Sequence, residues 1–388
     1  MKTKIILAVA VLASISLLTN CKKAEQVVEP SNSVQQSENG QVELFPHAKV
    51  VNEDIKNQTA VAEESLTFVG ESEFLKSVKV GDILIAGTSE LAPDGYLRLV
   101  NSIEKNGETY TFYTSNSSLE KAIKNGNIHV EFPIMFNANE DMENGKTTAL
   151  YTNTQTKTLP LNYLLYDKDG KATTTYDRII TNGSLVFTAN MSIDMSFSWG
   201  SLQYFDAKTT FGATNSQTLT IGGSMNITPK TLKIYGNTTI PSVNFIVSGV
   251  PINIKPFVDV YVDYGGSITA QAKFGYKGQT SYTPEIRYQN GSWKFYSVKS
   301  ASLVGYKPNV NLTANFNASL RPRITFALYG CQKCASAYLQ ASVFGDLECS
   351  LSPTVSKKIS GGVNLGAGAT LFGYNINDDS FYTYKFPI

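Results

Sequence analysis

The chain has 388 residues, 42% of them apolar and only 17% charged, with a formal net charge of +1. That balance excludes a disordered tail and a polytopic membrane protein, and 21 Tyr, 20 Phe, 29 Gly and 14 Pro suit sheet and turn better than helix. The two histidines, His47 and His129, leave little room for His-based metal or triad chemistry.

Residues 1–21 read as an export signal. Lys2 and Lys4 precede an apolar run from Ile5 to Leu18, which is too short for a stable bilayer span. The run ends in Leu18-Thr19-Asn20-Cys21, with a hydrophobic residue three positions before a cysteine. This stretch resembles the lipobox of bacterial lipoproteins, and with Asn20 before the cysteine it is similar to the looser form of Bacteroidetes-type lipoproteins. The resemblance implies a signal peptide over 1–20, lipidation of Cys21, and a membrane partner held through the acyl chains. Lys22-Lys23-Ala24-Glu25 puts no aspartate after the cysteine, and the lipoprotein resemblance then implies the outer rather than the inner membrane. Both the periplasmic face and the cell surface stay open.

Residues 21–62 are expected to be a lipidated tether and linker. The stretch 22–40 is polar and aperiodic, and such a flexible segment reaches roughly 25 Å. Pro46 interrupts any strand begun at Val42, and His47 is expected at the surface. A small β-rich domain is predicted over 63–135. Ser65–Val69 is a strand stopped by Gly70, Gly81-Asp82 turns into Ile83–Ala86, and Asn106-Gly107 joins the strand from Tyr96 to the strand from Thr109. Ser117-Ser118-Leu119-Glu120 has the form of a capping box, with Gly126 as the helix stop, and Ile128–Phe132 is expected to close the small domain. The run Val80-Gly81-Asp82-Ile83-Leu84, then Pro93 to Val100, then Thr114 and Ser118 to Ile123, resembles a β-rich module of uncharacterised secreted bacterial proteins. The resemblance implies an extracytoplasmic location and no catalytic residue.

Residues 136–388 are predicted to form one large antiparallel β domain, a sandwich or a curved, partly closed sheet. Hairpins are expected at Asp167-Lys168-Asp169-Gly170, joining Leu161–Tyr166 to Ala172–Tyr176, and at Asn182-Gly183, Tyr264-Gly265-Gly266 and Gln289-Asn290-Gly291. Between them the alternation is clean. Val310, Leu312, Ala314, Phe316, Ala318 and Leu320 share one phase, as do Ile268, Ala270, Ala272, Phe274 and Tyr276, and Ala337, Leu339, Ala341, Val343, Leu347, Cys349 and Leu351. Each run predicts a strand with one dry and one wet face. The segment from Pro251 onward also resembles C-terminal β modules of uncharacterised secreted proteins.

Charge divides between the two parts: ten basic against twenty acidic residues over 22–143, and twenty-one against twelve over 144–388. Either the two surfaces attract each other or the basic part binds an anionic partner such as an acidic glycan or another envelope component. The lysines are scattered and no nucleic-acid-binding signature is present, so no nucleic acid is predicted.

Of the cysteines left after Cys21, Cys331 and Cys334 are expected to form a local disulfide. A straight strand over 337–351 would put Cys349 about 50 Å from Cys334, so Cys349 is expected as a buried thiol. The residues after Cys334 alternate as a strand, which does not suit a thioredoxin-like redox motif. Asp259 and Asp263 share one strand face about 13 Å apart, too far for paired glycosidase carboxylates. Asn137-x-Asn139-x-Asp141 resembles half of a calcium loop but lacks its glycine. Trp199, Tyr204, Trp293 and Tyr296 are candidate sugar-stacking rings; Trp293 and Tyr296, the candidate ligand-binding pair, fall in different phases of one strand. No catalytic residue, metal site or cofactor is predicted. The expected function is a non-enzymatic, lipid-anchored envelope protein with a structural or surface ligand-binding role. The alternatives are a glycan-binding accessory lipoprotein of a polysaccharide uptake system and a lipid-handling β protein.

Overall fold

The computed structural model describes residues 39–134, 156–171, 173–237, 240–306, 313–350 and 356–387. These form a mostly β structure of three sheets with three short helices among the described residues. In chain order the first strands are β1 (Asn39–Leu44), β2 (Ala48–Val50), β3 (Ala60–Val61), β4 (Ser65–Val69), β5 (Ile83–Ala86), β6 (Tyr96–Asn106), β7 (Thr109–Asn116) and β8 (Ile123–Pro133). Helices α1 (Glu53–Lys56), α2 (Glu73–Ser77) and α3 (Leu119–Ala122) punctuate them. There follow β9 (Lys157–Pro160), β10 (Tyr163–Asp167), β11 (Arg178–Ser198), β12 (Ser201–Ile221), β13 (Met225–Asn237), β14 (Val243–Val247) and β15 (Val250–Ile268). The last are β16 (Ala272–Gln289), β17 (Ser292–Tyr306), β18 (Ala314–Leu328), β19 (Ser336–Ser350), β20 (Ser356–Leu371) and β21 (Tyr374–Pro387).

The small sheet has the order β2-β5-β6-β7-β4-β3, antiparallel except for β2 beside β5. Its buried side centres on Leu66, Phe68, Leu84, Tyr96 and Phe112. Two larger antiparallel sheets face each other without either closing on itself. The first runs β1-β8-β11-β12-β16-β17, with β9 and β10 also paired to β11. The second runs β13-β15-β18-β19-β20-β21, with β14 also paired to β15. The strand Ile128–Phe132 belongs to β8 of the first large sheet, where Val130 sits opposite Ile193, and does not close the small one. Asn253 Nδ2, fully buried on β15, donates to the Ala86 carbonyl at 2.9 Å and ties the small sheet to the second large one.

Alternation builds the core. Ala314, Phe316, Ala318 and Leu320 are all buried, and so are Ala337, Leu339, Ala341, Val343, Leu347 and Cys349. Val310, Leu312 and Leu351 lie outside the described residues. Across the gap Phe274 packs edge-on to Phe316 at 5.9 Å, Phe132 meets Phe245 at 5.6 Å, and Phe295 stacks on Phe381 at 5.1 Å. Each pair joins one large sheet to the other.

Several local expectations are corrected. The run from Ile268 to Tyr276 is the end of β15 and the start of β16, in phase only by coincidence across the intervening bend. The Asp167–Gly170 turn leads from β10 to β11 at Arg178, past the stretch expected as the return strand. Asn182-Gly183 is interior to β11: it marks the point where β10 gives way to β9 as the edge partner, and Gly183 at φ 141° lets the strand pass the Ser216 carbonyl. Gly266, at φ 120°, does the same beside Asn315 within β15. In both places the glycine serves a kink in one long strand. The capping box fails because Ser118, not Ser117, is the N-cap and its side chain caps nothing; Gly126 lies in β8, which starts directly after α3.

The Gln289-Asn290-Gly291 turn is present, with both Asn290 (φ 53°) and Gly291 (φ 75°) in the left-handed region. Trp199-Gly200, Ser248-Gly249 and Phe372-Gly373 make the same two-residue turn, which matches the twist of the flanking strands. A Cβ on Gly183 would lie 1.8 Å from the Ser216 carbonyl oxygen, whereas one on Gly291 meets nothing within 4 Å. Urea denaturation is therefore expected to show Gly183→Ala losing at least about 3 kcal/mol. Gly291→Ala, strained only in φ, is expected to lose about 1–2 kcal/mol.

Candidate functional site

Three of the two-residue turns gather at one end of the paired sheets. Ser201, Leu202 and Gln203 after the first, Asn290 and Gly291 of the second, and Phe372 and Tyr374 around the third line one cavity. Its volume is about 420 Å³, and Glu120 of α3 and Tyr288 of β16 complete the wall. The size lies in the range of small-molecule sites.

Each wall residue is placed by its turn. Phe372, at φ 53°, is driven inward and packs edge-on against Phe197 and Phe205. Tyr374 opens β21 and its hydroxyl lies 3.0 Å from that of Tyr288. Trp293 packs behind them, 5.2 Å from the Tyr288 ring and 5.7 Å from the Tyr374 and Phe205 rings. Its indole N–H is buried and has no acceptor among the described residues. Tyr374 remains 38% exposed.

Glu120 supplies the charge. Burial among these rings pushes its carboxyl above the usual glutamate range, and a hydrogen bond from the Leu202 N–H offsets only part of that. The hydrogen bond with the Tyr288 hydroxyl and burial raise the Tyr374 phenol. The cavity thus offers the Glu120 carboxyl, two hydroxyls and the Gln203 and Asn290 amides beside the rings.

The four candidate sugar-stacking rings do not form one platform. Trp199 sits at a turn tip, 74% exposed, with Lys124 Nζ 4.9 Å from its ring. Tyr204 and Tyr296 lie on the outer face of the first large sheet. There the Tyr204 hydroxyl donates to Asp206 at 2.9 Å, and the Arg287 guanidinium covers Tyr296 at 4.9 Å. Burial and the Asp206 carboxylate push the Tyr204 phenol up to about 12. Trp293 faces inward, so it and Tyr296 stand on opposite sides of β17. Glu120, Tyr288, Phe372 and Tyr374 escaped the sequence reading. Glu120 has the spacing of a capping residue, and Trp199-Gly200 and Phe372-Gly373 carry bulky residues at positions where turns favour Asn or Asp.

The remaining candidates occupy other places. Cys331 and Cys334 are disulfide-bonded, with Cα atoms 5.3 Å apart, and Cys349 is buried on β19. The disulfide loop borders a second cavity of about 350 Å³, facing Tyr96, Arg98 and Ser117 of the small sheet and the segment after it. Asp263 accepts two hydrogen bonds from Arg321, both at 3.0 Å; burial opposes its charge, but Arg321 and Thr231 hold the carboxyl below its usual range. Asp259 accepts from Lys233 at 2.5 Å and from the Tyr261 hydroxyl at 3.2 Å, so both carboxylates serve the outer face. His47 is exposed and stacks on Phe45, and His129 meets Asp194 at 2.5 Å. Asn137, Asn139 and Asp141 lie outside the described residues.

No protein-family model, curated protein or solved structure matches the chain. Among the described residues no helix is long and apolar enough to cross a membrane.

Because the folded-state pKa of Glu120 is raised, its contribution favours folding fully below the unfolded value and is lost as pH rises through the folded one. Glu120→Gln is therefore expected to match the parent in melting temperature near about pH 4 and to exceed it at pH 7, since the unfolded value is about 4.3. Replacing both Cys331 and Cys334 with serine opens a loop of sequence separation 3, for which chain entropy gives a loss of about 2 kcal/mol, read by urea denaturation.

Proposed function

We propose that this chain is a lipid-anchored cell-envelope protein whose β body binds a neutral, hydroxyl-rich glycan in the turn-end cavity. The observation that carries the binding role is Glu120, a carboxylate at the wall of a cavity that also presents Tyr288, Phe372 and Tyr374. Sugar rings expose C–H faces that pack on aromatic surface and hydroxyls that donate to carboxylates and amides. A desolvated carboxylate repels an anionic ligand, so an acidic glycan is the poorer occupant of this cavity. The anchor rests on Leu18-Thr19-Asn20-Cys21 and the polar tether after it. Outer-membrane placement follows from the same residues, and the glycan would then be a component or nutrient of that compartment.

A structural role without a ligand is the second reading. It is favoured by the outer face of the second large sheet, where Arg321, Arg323, Gln340 and Asp379 knit three strands, β18, β19 and β21, by side-chain hydrogen bonds. Lipid handling has less room, because the dry faces of the long strands pack on each other at Phe274–Phe316 and Phe295–Phe381.

A glycan array on the purified full-length protein, followed by calorimetry, is expected to give saturable binding. Tyr374→Ala is expected to weaken it about tenfold or more, a change of about 1.4 kcal/mol. Affinity is expected to fall as pH drops through the raised Glu120 pKa, where the carboxylate acceptor is lost. An array without hits, together with unchanged surface properties in Tyr374→Ala, returns the structural reading. Co-purified lipid seen by mass spectrometry would favour lipid handling instead. Metabolic labelling with a fatty-acid analogue is expected to mark the parent and not Cys21→Ser.

A further inference from the structure

The link between β10 and β11 brings three carboxylates together. Asp167 closes β10, Asp169 lies in the turn, and Asp177 directly precedes Arg178, the first residue of β11. One carboxylate oxygen from each lies within 4.8 Å of the others. Such proximity of like charges is unfavourable unless a cation or proton relieves it. Arg178 relieves part of it, with Nε 3.1 Å from Asp167 Oδ2. Three negative charges against one positive charge leave a surplus of two.

A second, independent observation concerns Asp177. It is only 8% exposed, and its Oδ1 is buried with no hydrogen-bond partner. A buried carboxylate oxygen left unpartnered is costly, the more so when the group is charged. The other carboxylates are held ready around it. Asp167 Oδ1 accepts from the Gly170 N–H at 2.9 Å, and Asp169 accepts from the Lys171 N–H and the Thr174 hydroxyl, both at 2.9 Å. Asp177 Oδ2 takes the Asp169 N–H at 3.1 Å. Each of these oxygens keeps a lone pair free, since a carboxylate offers about four acceptor positions.

We propose that Asp167, Asp169 and Asp177 bind a divalent cation of the calcium type. The ligand set is all oxygen, which suits a hard cation and not zinc or copper. The turn is not a rigid octahedral cage, which favours calcium over magnesium, with water completing the coordination. The ion's two charges match the surplus left by Arg178. Bound there, it fastens the end of β10 to the start of β11, at the end of that pair away from β9. The sequence pattern DKDG followed by Asp177 reads as a hairpin turn in isolation, because the third ligand is supplied only when the return strand is in place.

The test is calcium titration of the chelator-treated full-length protein by calorimetry, with terbium luminescence excited through tyrosine as a second readout. A single-site isotherm is expected, with Kd on the order of 10⁻⁴–10⁻³ M as in extracellular modules, and a melting temperature that rises with calcium. Asp177→Asn is expected to weaken binding by at least the roughly tenfold that loss of even an outer-shell partner costs. Asp169→Asn, at an exposed position, is expected to do the same without threatening the fold, which circular dichroism checks. Asp141→Asn, in the half calcium loop of the sequence, is expected to leave the isotherm unchanged. Absence of heat and of any melting shift up to about 10 mM calcium, far above that affinity range, overturns the proposal. So does binding that persists in Asp169→Asn.

Discussion

Phe274 on one long sheet meets Phe316 on the other at 5.9 Å, and the same facing of apolar sides runs the length of the molecule. Strands of 15 to 21 residues, such as β18 and β11, cannot leave a whole apolar side in water. Burying each large side chain contributes roughly 1.5–3 kcal/mol, so two such sheets are driven face to face. The remaining features follow from that constraint. The strands must be joined by short turns, the turns must collect at the ends, and whatever the turns carry must meet there.

Apolar facing alone does not fix the alignment of such long strands. A row of polar groups inside the sandwich helps to do so. Gln217 Nε2 donates to Thr181 at 3.3 Å, and Tyr276 Oη lies 2.8 Å from Gln217 Oε1 and 3.1 Å from the Val343 carbonyl on the opposite sheet. Asn215, Thr280 and Tyr282 form a second chain close by. Burial pushes the Tyr282 phenol up to about 12, so it stays protonated and keeps its place as a hydrogen-bonding group. A slip of one residue would turn every one of these groups to the wrong face and leave it unpaired. The two sheets are thus pressed together by apolar surface and indexed by polar pairs.

The turn-end cavity shows how a site arises from such a frame. Trp199-Gly200, Asn290-Gly291 and Phe372-Gly373 are separate events in the sequence, each at least 81 positions from the next. Each bends its hairpin in the same way, and together they set Gln203, Asn290 and Tyr374 around Glu120. The Trp293 ring packs behind the Tyr288 and Tyr374 rings and owes its position to β17 rather than to the turns. Its partner in the sequence pattern, Tyr296, points to the other side of the same strand for the simple reason that three positions is an odd step.

Some of this was written in the sequence. Period-two alternation through Ala314–Leu320 and Ala337–Cys349 fixed which sides would be dry, because strand side chains alternate whatever surrounds them. The Cys331–Cys334 spacing brought its two thiols within reach of each other. Local signals failed where their meaning depends on a partner strand. Asn182-Gly183 and Gly265-Gly266 have the composition of turns, yet neighbouring carbonyls at Ser216 and Asn315 make them kinks. Glu120 looks like a helix cap until β8 takes over at Ile123. Glycine permits a positive φ but does not say what use the chain makes of it. Which strands became neighbours, and therefore which distant carboxylates and rings share a wall, was decided by long-range pairing, an interaction between segments that no single stretch of sequence contains.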